Sequence, residues 1–169
     1  MESKTKNIPG TPLKDEDIKS KKVLTLWWDE KPKYAWDCGV ALSKYLWGLK
    51  EGKIYGIYCG KCRRVLLPPR MFCEYCFVPT SKWVELEDEG EVLTFSICYV
   101  TWDAKRIEKP NIPAVIHIKG ASDNVGILHL LSEVAPDDVK IGMKVKAVWR
   151  NAESRKGDIT DIKYFKPLK

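Results

Sequence analysis

The stretch from Tyr58 to Phe77, YCGKCRRVLLPPRMFCEYCF, carries two Cys-x-x-Cys pairs, Cys59/Cys62 and Cys73/Cys76, with ten residues between them. A Cys-x-x-Cys turn brings two sulfurs within reach of one ion, and a hairpin between the pairs sets the second opposite the first. Four soft thiolates in a tetrahedron suit zinc, or a single iron. They also close the coordination sphere, so the expected role of the site is to brace the fold and not to activate a substrate. A redox pair of the thioredoxin kind needs one such motif at a helix start, not two facing each other. One detail works against tight binding. The positions after Cys62 and Cys76, where glycine accepts a positive φ without strain, hold Arg63 and Phe77.

A disulfide reading is disfavoured by the rest of the chain. The N-terminus, MESKTKNIPGTPLKDEDIKSKK, is polar with both signs of charge and does not read as a secretory signal. No apolar run approaches the length that crosses a bilayer. A cytoplasmic location, where thiols stay reduced, is the expectation, with no membrane partner. Cys38 and Cys98 lie in apolar contexts and read as ordinary buried thiols.

Composition divides the 169 residues into four segments. Residues 1–13, with Pro9, Gly10 and Pro12, predict a flexible arm. Residues 14–52 predict helices: a short charged one over 15–22 and a stronger one over 34–50, ended by Gly52. In the second, Trp36, Val40, Ser43 and Trp47 share one face, while Leu42, Tyr45, Leu46 and Leu49 line another. These aromatics could pack on the following domain or form a docking surface for a partner. Residues 53–82 hold the cysteine ribbon. Residues 83–169 break into short β runs: WVELE, EVLTFSICYVTW, PAVIHIKG, NVGILHLL, MKVKAVWR and DITDIKYF. Glycines and prolines, among them Gly90, Pro110, Pro113 and Gly126, punctuate them, and a helix or turn is expected near 135–139. The expected class is α+β, mainly β: N-terminal helices, a rubredoxin-like ribbon and a small closed barrel of the OB-fold type.

Catalytic patterns are not found. His117 and His129 each sit inside a predicted strand and read as satisfied barrel residues; Asp137 and Asp138 read as turn residues. The acidic run Glu85, Glu87, Asp88, Glu89 reads as a solvated strand end. The net charge of +6 is uneven: residues 50–82 carry seven bases against two acids, residues 144–169 eight against three, and residues 83–143 eleven acids against five bases. A phosphate-bearing partner is expected near the basic segments.

The order of parts resembles a two-domain family of zinc-ribbon/OB-fold, acyl-CoA-associated proteins, first catalogued as a domain of unknown function. The resemblance rests on LKEGKIYGIYCGKC, LLPPRMFCEYC, WVELEDEGEVLTFSICYV, PAVIHIKG, NVGILHLL and VAPDDVKIGMKVKAVW, and covers roughly residues 35–165. It implies a non-catalytic bridge for a thiolase-superfamily enzyme, of the acetoacetyl-CoA thiolase and HMG-CoA synthase type known in archaea, that also helps accommodate CoA. Coenzyme A offers phosphates and an adenine, which favour Arg and Lys beside aromatic rings. Lys61, Arg63, Arg64 and Arg70 are the candidate phosphate contacts, with Tyr99 or Trp102 as a stacking surface. The alternative is a single-stranded nucleic-acid binder, since OB barrels and zinc ribbons both serve that purpose. The acidic balance of the barrel segment weighs against it.

Overall fold

The computed structural model describes residues 13–26, 28–29, 31, 33, 35–80 and 82–168. The predicted arm over 1–13 therefore lies outside the described residues except for Leu13, which is exposed. The chain divides after Trp36 into two units.

In the first unit the short helix α1 runs Asp15–Lys19, with three acids in its first turn complementing the exposed amides there. It stops before the predicted residue 22, and Lys21 takes a positive φ of 57°. Beyond it Leu24, Leu26 and Trp28 are all exposed.

In the second unit α2 spans Gly39–Glu51. It starts later than the apolar periodicity predicts. Gly39, at φ +64°, cannot extend a right-handed helix backwards, and its N–H donates to Asp37 Oδ1 at 2.8 Å. The predicted stop holds. Gly52 adopts φ +81°, and the N–H groups of Gly52 and Lys53 donate to the carbonyls of Leu49 and Gly48. The two predicted faces separate. Tyr45, Leu46 and Leu49 pack into the main core, whereas Val40 and Trp47 stay exposed; Leu42, expected with the inner set, is exposed as well.

Strands β1 (Ile54–Tyr58), β2 (Val65–Leu66) and β3 (Lys82–Leu86) form a three-stranded sheet in the order β2-β1-β3. This corrects one expectation. WVELE, read as the barrel's first strand, pairs antiparallel along the whole of β1, from Ile54↔Leu86 to Tyr58↔Lys82. Its backbone partners therefore lie in the ribbon. Gly48 lets α2 approach this sheet, because a Cβ there would lie 2.4 Å from the Tyr55 ring.

The barrel is built from β4 (Glu89–Phe95), β6 (Arg106–Ile118), β7 (Ile127–Leu131), β8 (Lys144–Trp149) and β9 (Ile162–Pro167). Strand β4 pairs with both β8 and β6, and a parallel pairing at Leu131↔Phe165 joins β7 to β9, so the sheet closes on itself. The short strand β5 (Cys98–Val100) pairs with the first half of β6. Strand β6 starts seven residues before the predicted run and contains Pro110 and Pro113. Pro110 falls in the irregular stretch between the Cys98↔Asn111 and Val100↔Arg106 pairs, where a missing N–H interrupts no regular ladder. Gly90, read as punctuation, lies inside β4. The turn expected at 135–139 is a 3-10 helix, Pro136–Asp138.

Along β6 the inward positions Ile112, Ala114, Ile116 and Ile118 alternate with outward ones, the period of a half-buried strand. They share one core with Val92, Val145, Ile162 and Phe165 of the barrel, Leu86 and Ile54 of the ribbon sheet, and Tyr45 and Leu49 of α2. Each such fully buried side chain contributes about 1.5–3 kcal/mol. This continuity makes helix, ribbon sheet and barrel cohere. DITDIKYF is only half strand: a 3-10 turn, Ile159–Asp161, precedes β9. Asp161 is buried there and accepts N–H groups from Lys156, Gly157 and Asp158 at 2.8, 2.7 and 3.2 Å.

Candidate metal centre

The first cysteine pair follows directly from β1, and the second lies within the loop that the Phe72↔Pro79 bridge closes, after β2. Each pair forms the same turn. Arg63 N–H donates to the Cys59 carbonyl at 2.9 Å, and Cys59 N–H to that of Arg64 at 2.8 Å. In the second pair Phe77 N–H donates to the Cys73 carbonyl at 2.9 Å, and Cys73 N–H to that of Val78 at 3.0 Å. Two copies of one turn thus face each other.

All four Sγ atoms lie within 4.8 Å of one another, with Cys62 and Cys73 sulfurs 3.6 Å apart. A tetrahedral ion with metal–sulfur bonds of about 2.3 Å spaces its sulfurs by roughly 3.8 Å, so the donor set fits such an ion. Cys59 and Cys73 are fully buried, packed with Ile57 and Leu66 in a second, smaller core that Val78 and Trp83 border. The protons are unevenly held. Hydrogen bonding from the Cys62 amide, above all, lowers the Cys59 thiol to about 7, while burial pushes Cys76 up to about 12. Four neighbouring thiols do not ionise together unaided. A bound cation is what lets all four act as thiolates.

Arg63 and Phe77 take the conformation that the missing glycines leave open, at φ +63° and +52°. For residues with a Cβ this costs about 1–2 kcal/mol each. Both side chains are exposed, Phe77 to 84 %.

The candidate CoA-binding cations divide. Arg64 is held within the ribbon: its Nη1 lies 3.0 Å from Glu74 Oε1 and its guanidinium sits 4.2 Å from the Tyr75 ring centroid. Arg70 Nη1 lies 3.5 Å from the other Glu74 oxygen. A carboxylate thus already occupies two of the three arginines expected to meet phosphate, Arg64 and Arg70. Lys61 and Arg63 are exposed. Tyr99 lies on β5 and Trp102 on the turn after it, 99 % exposed. No hydrogen bond, ion pair or ring contact among the described residues joins these rings to the ribbon cations. The Arg64–Glu74–Tyr75 clamp was not foreseen from the sequence; its signal was the lone acid of the ribbon, four residues after Arg70.

Other expectations change with the structure. Cys38 is exposed and Cys98 only half-buried, because α2 begins after Cys38 and β5 pairs on one side only. The acidic run is paired, not merely solvated. Lys53 meets Glu85, Lys119 meets Glu87, Lys146 meets Asp88 and Glu89, and Lys144 meets Glu91 across the β4–β8 ladder. The histidines are held by backbone carbonyls, His117 Nε2 at 3.2 Å from Ala121 O and His129 Nε2 at 3.2 Å from Ile159 O. Each lines a shallow groove, of about 440 and 420 Å³ respectively. No helix among the described residues is long and apolar enough to cross a membrane.

A four-cysteine ribbon sharing a core with a closed five-stranded barrel defines the class: a zinc ribbon joined to an OB-fold. Comparison with known proteins agrees. The description "ChsH2, rubredoxin-like zinc ribbon domain" matches residues 46–80, and "ChsH2, C-terminal OB-fold domain" matches residues 83–150. A DUF35 domain-containing scaffold protein of Methanocaldococcus jannaschii is 34 % identical over 119 residues, 68 % of this chain and 82 % of that protein. A crystal structure of a DUF35-family protein of unknown function from Sulfolobus solfataricus is similar at 32 % identity and TM-score 0.57, over 65 % of this chain and 78 % of that one. The Ltp2-ChsH2(DUF35) aldolase shares the fold at 19 % identity and TM-score 0.57, over 80 % of this chain and 98 % of that one. This chain belongs to the DUF35 family of zinc-ribbon/OB-fold proteins.

Proposed function

We propose that this chain is a non-catalytic accessory subunit, a scaffold that docks a thiolase-superfamily enzyme working on acyl-CoA, with zinc bracing its ribbon. The observation that carries this reading is the placement of large apolar side chains on the surface, outside both hydrophobic cores. Leu24, Leu26 and Trp28 of the first unit, and Val40 and Trp47 of α2 in the second, are all exposed. Exposed Trp and Leu at such density are what the centres of protein interfaces are made of. The scaffold name of the Methanocaldococcus jannaschii relative supports the same reading.

The metal's part is structural. The four cysteines would hold it, and it would supply the charge that keeps four thiolates together. Lys61 and Arg63 remain exposed cations, and Tyr99 and Trp102 exposed rings, each on its own element. We assign them to contacts made within the assembly rather than to a CoA site formed by this chain alone.

Purification of the tagged full-length chain from its own organism, with mass spectrometry and elemental analysis, tests the reading. Recovery of a thiolase-superfamily enzyme in stoichiometric amount, with one zinc per chain, is the expected result. Thioester turnover by the purified chain alone would remove it, and iron in place of zinc would correct its metal.

A further inference from the structure

The tip of the ribbon combines three features that the stability of this chain does not explain. Met71, Phe72, Tyr75 and Phe77 are exposed, four large side chains within the stretch MFCEYCF. Arg63 and Phe77 hold a backbone conformation that glycine adopts without strain, and neither projects its side chain into a core. The charge at this tip is also unbalanced. Glu74 is taken up by Arg64 and Arg70, which leaves Lys61 and Arg63 without a carboxylate partner among the described residues. The two turns meet at the Cys62–Cys73 contact, and Arg64 lies over Tyr75, so the backbone segments that carry the cations and the rings are held against each other.

We propose that this tip is a docking surface for a folded protein that offers an apolar recess bordered by carboxylates. Phe72 and Phe77 enter the recess, while Lys61 and Arg63 face the acidic border. Charge complementarity decides the partner's character: two unmatched cations on the same ribbon turns as three exposed rings call for an acidic, apolar counterpart. A strained Phe and a strained Arg at the two equivalent turn positions then have a reason to be there. The proposal rests on the scaffold reading above, since it names where the enzyme is held.

The test uses the full-length, zinc-loaded chain and the thiolase-superfamily enzyme of the same organism, with binding followed by calorimetry. Arg63→Gly and Phe77→Gly relieve the backbone, so both variants should melt no lower than the parent and retain their zinc. They should nevertheless bind the enzyme at least tenfold more weakly, and Arg63→Gly should also flatten the salt dependence of binding. Affinity within twofold of the parent for both variants would overturn the tip as the docking surface while leaving the scaffold reading intact. An enzyme that does not bind the parent chain either would remove both. Free CoA, or a labelled single-stranded oligonucleotide, that binds the parent but not the variants would hand the tip to a phosphate ligand and overturn the proposal.

Discussion

Arg64 and Glu74 join the two halves of the ribbon: Nη1 of the first lies 3.0 Å from Oε1 of the second, in a partly buried position beside the Tyr75 ring. The pair does for the surface of the ribbon what the cysteines do for its interior. It holds the two turns at the spacing that four sulfurs need.

Replacing Arg64 with Met should keep the aliphatic packing on Tyr75 and lose the charge-assisted bond, leaving Glu74 with only the longer contact to Arg70. A loss of about 1–2 kcal/mol follows, together with faster surrender of zinc to a chromophoric chelator. Unchanged release kinetics would show that the cysteines set the spacing unaided.

The strained turn positions predict a gain. Glycine at 63 or 77 relieves the positive φ but adds freedom to the unfolded chain, for a net stabilisation of roughly 0.5 kcal/mol at each. Thermal unfolding of the zinc-loaded variants reads this directly. A lower melting temperature in both would mean that the exposed side chains contribute to the fold.

Metal retention should depend on pH in one direction only. The bound form needs four thiolates, so each cysteine's pKa falls on binding, and the stabilisation present at higher pH is lost as protons return on acidification. Burial keeps the Cys76 thiol up at about 12 before metal arrives, and the cation must bring it down. Titration from pH 8 downwards should release zinc and loosen the small core around Ile57 and Leu66 first, because the larger core contains no cysteine. Release on raising the pH from 7 to 9 would contradict this.

Asp161 predicts the largest effect in the barrel. Its buried carboxylate accepts three backbone N–H groups, so Asp161→Ala strands them and costs about 2–3 kcal/mol in urea unfolding. Asp161→Asn should recover only part of this, since its amide N–H₂ group turns donors toward donors.

The pairing of Glu91 with Lys144 predicts a small acid sensitivity. The hydrogen bond from Lys144, with its charge, holds the Glu91 carboxyl below the usual range, so the pair stabilises the fold at neutral pH and fades as pH drops through that lowered value. Lys144→Met should flatten the acid limb of the stability profile, and an unaltered limb would show that the pair is too exposed to matter.

Much of this molecule is written locally in its sequence. The paired Cys-x-x-Cys spacing named the metal cluster, Gly52 marked the end of α2, and the period-2 pattern of PAVIHIKG and the runs after it announced barrel strands, because each signal depends on a few neighbouring residues and on turn or pleat geometry. Partnership was decided only in three dimensions. WVELE reads the same whether it pairs with a barrel strand or with β1, since a strand's own alternation does not say which edge it meets. By sequence Arg64 reads as facing a ligand and Glu85, Glu87, Asp88 and Glu89 as facing solvent, until pairing across the fold supplies each with a counterion. Whether a side chain is spent on the fold or left for a partner is a property of distances across the molecule, and sequence separation carries no record of those distances.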